Sequence, residues 1–205
     1  MTIRRHESWG SPGDVPSDIE WCDSDHGLAE AVSSGRPVIG VAAGDLARTV
    51  GAVGRGTRGV LVPLDAIEVT IERGSSHETS IAMAHCLSRS PWWRGGWWRG
   101  EATAIMNAQF VGEWDVAPRG HPNDGRLDVV SIDRVMPMRR RWSAWRRLPR
   151  GEHVPHPMIT VASAAGPISG GPGVLVIDGR SAGRVDRWTV RVLADHVSVW
   201  VALPE

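Results

Sequence analysis

The stretch GEWDVAPRGHPNDGRLDVV, residues 112–130, places Asp115, Asp124 and Asp128 in a loop broken by Pro and Gly that runs straight into a hydrophobic strand. Acids this close to a buried element need something to face. Asp124, between Asn123 and Gly125, has the composition of a tight turn closed by its own side chains. A further acid, Asp178, stands before Gly179 at the end of VLVI. Asp-Gly after an apolar run is a hairpin-turn signal. His153 and His156 in GEHVPHP have a spacing that could suit a metal, but two histidines fall short of the three or four ligands zinc takes. Imidazoles that bond to the backbone of a Pro-rich loop are the simpler expectation. Asp45 and Arg48 share the start of GDLARTVGA, where a helix N-terminus and an arginine can meet a phosphate. No nucleophile elbow, paired-cysteine cluster or dinucleotide fingerprint stands at a convincing spacing.

Composition narrows the chemistry. The 205 residues suffice for one domain with a sizeable core. Formal net charge is zero, against a dedicated nucleic-acid binder, which needs clustered excess cation. All 23 Lys-plus-Arg positions are arginine. A lysine nucleophile, a Schiff base and a phosphate-loop lysine are thereby excluded, whereas arginine's planar fork suits phosphate and carboxylate. Two cysteines, Cys22 and Cys86, make neither a disulfide framework nor a zinc set, and a reducing cytoplasm is the expectation. No apolar run has the length of a membrane span or follows the first residues as a signal peptide would.

These residues need elements to position them. Residues 1–20 read as an irregular arm. Residues 24–35 read as a short helix capped by Ser24 or Asp25 and stopped by Gly35, 37–43 as a buried strand, and 44–52 as a second helix. From residue 58 the texture turns to β: the segments beginning at Gly59, Glu78, Glu101, Gly125, Met158, Gly173 and Trp188 are strand candidates separated by turn residues. One helix interrupts over 137–148, with Met138, Trp142 and Trp145 along one stripe, arginines around it, and Pro137 at its first position. The pattern predicts a mainly-β antiparallel sandwich preceded by a short α/β segment, with the arm and α/β part over 1–56 and the sandwich over 57–205.

Three stretches, in order, resemble the diacylglycerol kinase / sphingosine kinase-like family of lipid kinases: AAGDLARTVGA, MNAQFVGEWDVAPRGHPNDGRLDVV and VLVIDGR. The likeness spans about residues 40–205 and implies that family's C-terminal β-sandwich. It also implies that Asp178 matches the family's general base, and that Asp124, with carbonyls of His121 and Arg126, matches the ligands of a structural Mg²⁺. Asp45 and Arg48 fall where the family's nucleotide-side helix begins. The family's GGDGT nucleotide loop is absent, and Arg180 replaces the acid two residues after the base. A cation there would depress the pKa of Asp178.

Three functions follow. The leading one is a degenerate lipid-kinase-like protein that keeps the lipid-side domain and binds a lipid or protein partner. The rivals are a working minimal kinase using Mg·ATP, and a subunit that completes a separate nucleotide-binding chain. SPWWRGGWWRG, residues 90–100, is expected at a hairpin tip turned by Gly95 and Gly96. Trp92, Trp93, Trp97 and Trp98 cannot all point inward from a tip. With Arg94 they form a contact surface for a lipid headgroup or membrane, unless they fold back on the 137–148 stripe or bury in a homodimer.

Overall fold

Arg58–Arg73 and Arg187–Ala202, each a strand of 16 residues, lie antiparallel and run the length of the molecule. The computed structural model describes residues 9–202. The chain opens with β1 (Ser11–Asp14), β2 (Glu20–Cys22), α1 (Asp25–Ser33), β3 (Ile39–Val41) and α2 (Asp45–Val50). Then come β4 (Arg58–Arg73), β5 (Ser76–Ala82), β6 (His85–Arg89), β7 (Ala102–Met106), β8 (Phe110–Val111), β9 (Trp114–Asp115) and β10 (Leu127–Ile132). After α3 (Met138–Arg147) follow β11 (Ile159–Ala164), β12 (Ile168–Gly170), β13 (Gly173–Ile177), β14 (Arg180–Val185) and β15 (Arg187–Ala202).

β4 and β15 serve two cores. At one end they pair with β1 and with the parallel strands β3 and β2. There Val62, Leu64, Val199 and Val201 pack with Leu28, Ile39 and Leu46 of the α/β layer. At the other end β5 and β12 flank them, and Ile67, Val69, Ile71, Trp188 and Val190 pack on the second sheet. That sheet has six antiparallel strands in the order β11-β10-β7-β6-β13-β14. The protein is mainly β, with two sheets packed as a sandwich. Between the two ends Leu64–Ile67 is buried without a break, because each face is covered by a different core. A third apolar cluster lies on the outer face of the six-stranded sheet, where Leu87, Val130 and Ile159 meet Ala144 of α3.

Three sequence expectations need correction. The arm is not irregular throughout: 11–14 form β1 on β4, while residues 1–8 lie outside the described residues. The run 78–87 is two strands, broken at Met83–Ala84. Pro137 is the N-cap of α3, not its first residue. Ser24 does cap α1, its Oγ accepting the Gly27 N–H at 3.1 Å.

Candidate functional site

Asp178 and Gly179 form the two-residue turn joining β13 to β14, both at positive φ (44° and 78°), as an Asp-Gly hairpin favours. Positive φ turns the Asp178 side chain back onto the sheet rather than out to solvent. Its Oδ2 accepts the Met83 N–H at 2.7 Å, and Oδ1 accepts those of Ala84 and His85, each at 2.9 Å. That explains the break between β5 and β6: the amides at 83–85 bond to a carboxylate instead of a ladder. Burial pushes the Asp178 pKa up, opposed by these N–H groups and by His85. Arg180 is exposed. The depression expected from its charge is not observed; burial wins.

His85, 2% exposed, joins Asp178 to the α/β layer through its Nε2, which lies 3.0 Å from Oδ2 of Asp45. Burial works against its charged form, but the Asp45 hydrogen bond and the fields of Asp178, Asp45 and Asp25 outweigh it, and its pKa is raised. The hydrogen bond runs from the ring Nε2–H to the Asp45 carboxylate. Asp45 Oδ1 accepts the Gly112 N–H at 2.7 Å. Arg48 lies 3.8 Å over the Phe110 ring and donates to the Gly112 carbonyl at 2.8 Å. Asp45, Arg48 and Asp178 are thus joined in one network through His85 and Gly112, each already engaged by the chain.

The N-terminus of α2 is closed as well. Asp25, reaching across from α1, accepts the N–H groups of Asp45 and Leu46 at 2.7 and 2.9 Å. Burial above all holds its pKa up at about 6 despite those bonds. Gly44 makes room for it, since a Cβ there would stand 2.6 Å from Asp25 Oδ1, and its φ of 118° disfavours any side chain. Asp25 and His85 were missed in the sequence as site residues. Their only signal is polarity at positions that the apolar spacing marks as inward.

The 121–126 loop hangs on another missed acid. Asp65, 1% exposed, accepts the N–H groups of Gly125 and Asp195 at 2.7 and 2.8 Å. Its own N–H donates to the Pro122 carbonyl at 2.8 Å. Asp124 Oδ1 accepts the Arg126 N–H at 2.9 Å, and His121 Nδ1 accepts that of Asn123 at 3.2 Å. Asn107 donates to the carbonyls of Asp65 and Met83, tying the loop to that network. Among the described residues no group of three His, Cys, Asp or Glu could hold a metal.

On the far side of the six-stranded sheet lies a cavity of about 340 Å³, walled by Leu87, Ala104, Val130 and Ile132 below and by Trp97, Trp98, Ala144 and Trp145 above. Its roof is held by Arg141, the buried charged residue of α3 that the tryptophan stripe obscured. The guanidinium donates to the carbonyls of Trp97, Asp133 and Gly100 and, through Nε, Met136. The loop 90–100 joins the paired strands β6 and β7, with Gly95 and Gly96 at positive φ. It folds back as far as Trp98, whose ring lies 6.2 Å from that of Trp145. Trp92, Trp93 and Arg94 stay on the outside. His153 also lines the cavity, 4% exposed, with the Val116 backbone beside its ring. Burial lowers its pKa, so it is neutral. It does not pair with His156, whose Nδ1 accepts the Met158 N–H.

No protein-family model and no curated protein matches this sequence. Solved structures do. One described as "A putative diacylglycerol kinase from Bacillus anthracis str. Sterne" superposes with a TM-score of 0.60 at 12% identity, over 90% of this chain and 77% of that one. A crystal structure of a diacylglycerol kinase from the same organism gives a TM-score of 0.57 at 12% identity, over 90% of this chain and 75% of that one. No helix among the described residues is long and apolar enough to cross a membrane. At this identity the likeness speaks for architecture alone: the chain has the diacylglycerol kinase-like fold.

Proposed function

We propose that this protein binds the apolar chain of a lipid in the cavity under α3 and does not transfer phosphate. One contrast carries the reading. The cavity is apolar-walled and within the size range of small-molecule sites, whereas the N–H groups that would receive phosphate are taken by Asp25 and Asp178. Both oxygens of Asp178 are already committed to three backbone N–H groups, so the carboxylate is held as a brace and not presented to an incoming hydroxyl. His153, its neutral form favoured by burial, is a polar group in the cavity wall for a hydroxyl or carbonyl of the lipid, beside Thr103 and Arg141.

The test uses two ligands. Calorimetry with Mg·ATP is expected to show no saturable binding at low micromolar concentration, whereas a dansyl-labelled undecanoic acid binds with enhanced, blue-shifted fluorescence. Ala104→Phe, which fills the cavity from the sheet side, lowers the affinity for the probe about tenfold or more, as overfilling a packed site costs 1–3 kcal/mol. A micromolar Mg·ATP isotherm that is lost in Arg48→Ala reinstates the kinase reading.

The loop at 121–126 belongs to the same proposal. One carboxylate, Asp124, with the carbonyls of His121 and Arg126 and with waters, is the donor set of a hard divalent ion such as Mg²⁺. The loop's field suits a cation, because the charge of Asp124 adds to burial in raising the pKa of both Asp65 and Asp128. The ion would pin the loop and take no part in chemistry. Millimolar Mg²⁺ is expected to raise Tm by linkage, and Asp124→Ala to abolish that shift while leaving the metal-free Tm within a few degrees. An unchanged Tm in the parent protein leaves a plain turn.

A further inference from the structure

Between Arg134 and Gly151 the chain carries seven arginines and no acid, although its formal net charge is zero. Those side chains surround α3, and all but Arg141 are exposed. The same helix turns Met138 and Trp142 to solvent, each about half exposed. Its neighbour, the loop 91–99, adds Trp92 and Trp93, 78% and 52% exposed. Arg141 locks helix and loop together by its bonds to the carbonyls of Trp97 and Gly100. The outer edge of this loop borders a polar groove of about 290 Å³ flanked by Arg94 and Arg184, with Arg184 5.2 Å over the Trp93 ring. The groove also holds Asp186, whose Oδ2 accepts the Gly74 N–H. Cations and exposed indoles thus sit on the helix and loop that also supply residues to the apolar cavity.

We propose that this face docks on an anionic phospholipid bilayer, with the indoles of Trp92, Trp93 and Trp142 at headgroup depth and the arginines on the phosphates. Indole favours that depth because its ring leaves water while its N–H stays wet. Arginine forks match phosphate oxygens. An acidic protein would satisfy the arginines but gives no reason for indoles held outward on an immobilised loop. A bilayer satisfies both. The docking deepens the lipid-binding reading without requiring it, because a membrane surface is recognised whether or not a chain enters the cavity.

Sedimentation with vesicles tests it. The protein is expected to pellet with phosphatidylcholine/phosphatidylglycerol vesicles, to stay in solution with phosphatidylcholine alone, and to be released as salt rises past physiological strength. Arg139→Gln/Arg140→Gln lowers partitioning roughly 25-fold, since each surface cation is worth about fivefold. Trp92→Ala/Trp93→Ala lowers it at least tenfold, with an unchanged Tm showing that the fold is intact. Ala104→Phe keeps vesicle binding, so loss of the cavity ligand and loss of docking are told apart. Equal pelleting with neutral and anionic vesicles, or parental binding by either double variant, overturns the proposal. So does a tryptophan variant that changes only the monomer–dimer equilibrium, which makes the face a contact between copies.

Discussion

Asp178→Ala is expected to lose about 3–9 kcal/mol of unfolding free energy, because three buried N–H groups lose their acceptor at about 1–3 kcal/mol each. That is a large share of the 5–15 kcal/mol that holds a typical domain together. The variant also places alanine at a φ of 44°, which it tolerates less well than aspartate does. Asp178→Asn is the informative companion. Asparagine accepts positive φ, and its oxygen can keep the Ala84 and His85 bonds. Its NH₂ group then faces the Met83 N–H, so it recovers about half of the loss. Urea unfolding reads both values. The opposite pattern, parental stability with loss of labelled-phosphate transfer to a lipid extract, would make Asp178 a base and not a brace.

Arg141→Met is expected to cost about 2–4 kcal/mol, with a red shift in tryptophan emission as the loop 91–99 leaves α3. The guanidinium is buried without a carboxylate; carbonyl dipoles alone offset its desolvation, and burial lowers its pKa. Methionine matches the stem but leaves the carbonyls of Trp97, Gly100 and Met136 without the Arg141 donors. Arg141→Lys keeps the charge and loses the fork, and it should recover less than half. Unfolding within about 0.5 kcal/mol of the parent, the range of neutral surface changes, would mean that water replaces the arginine freely.

The strands were legible where β-forming runs stand between turn residues, as in β10, β11 and β13. Lipid-kinase architecture was legible through three short motifs despite the low identity of the superposed structures. What stayed hidden was placed by partners far along the chain. The break at Met83–Ala84 has no local turn signal, since its cause is a carboxylate 94 and 95 residues away. Asp25, a helix-cap candidate in the sequence, and Asp65 accept from N–H groups that a sequence does not place opposite them. The stripe of Met138, Trp142 and Trp145 was read correctly as a stripe, but Arg141, one register over, is what the fold buries. A guanidinium goes inward when enough carbonyls converge on it, and convergence is a property of the tertiary structure. The turn chemistry of Asp178–Gly179 was readable for the opposite reason: φ preference is local.

The central pairing of β4 with β15 also bears on how the protein is made. α1, α2 and β3 leave the ribosome early, yet the strand that pairs with β3, and half of the wall they pack on, belong to β15. More than a hundred residues are synthesised between β4 and the strand that lies along its whole length. During that interval β3 has a free parallel edge and the α/β layer an uncovered apolar side, the conditions under which nascent chains stick to one another. Pairings this distant in sequence form slowly. When β15 arrives it closes both lobes together, so neither can serve as a finished template on which the other folds, and the growing chain depends on protection until its last long strand has emerged.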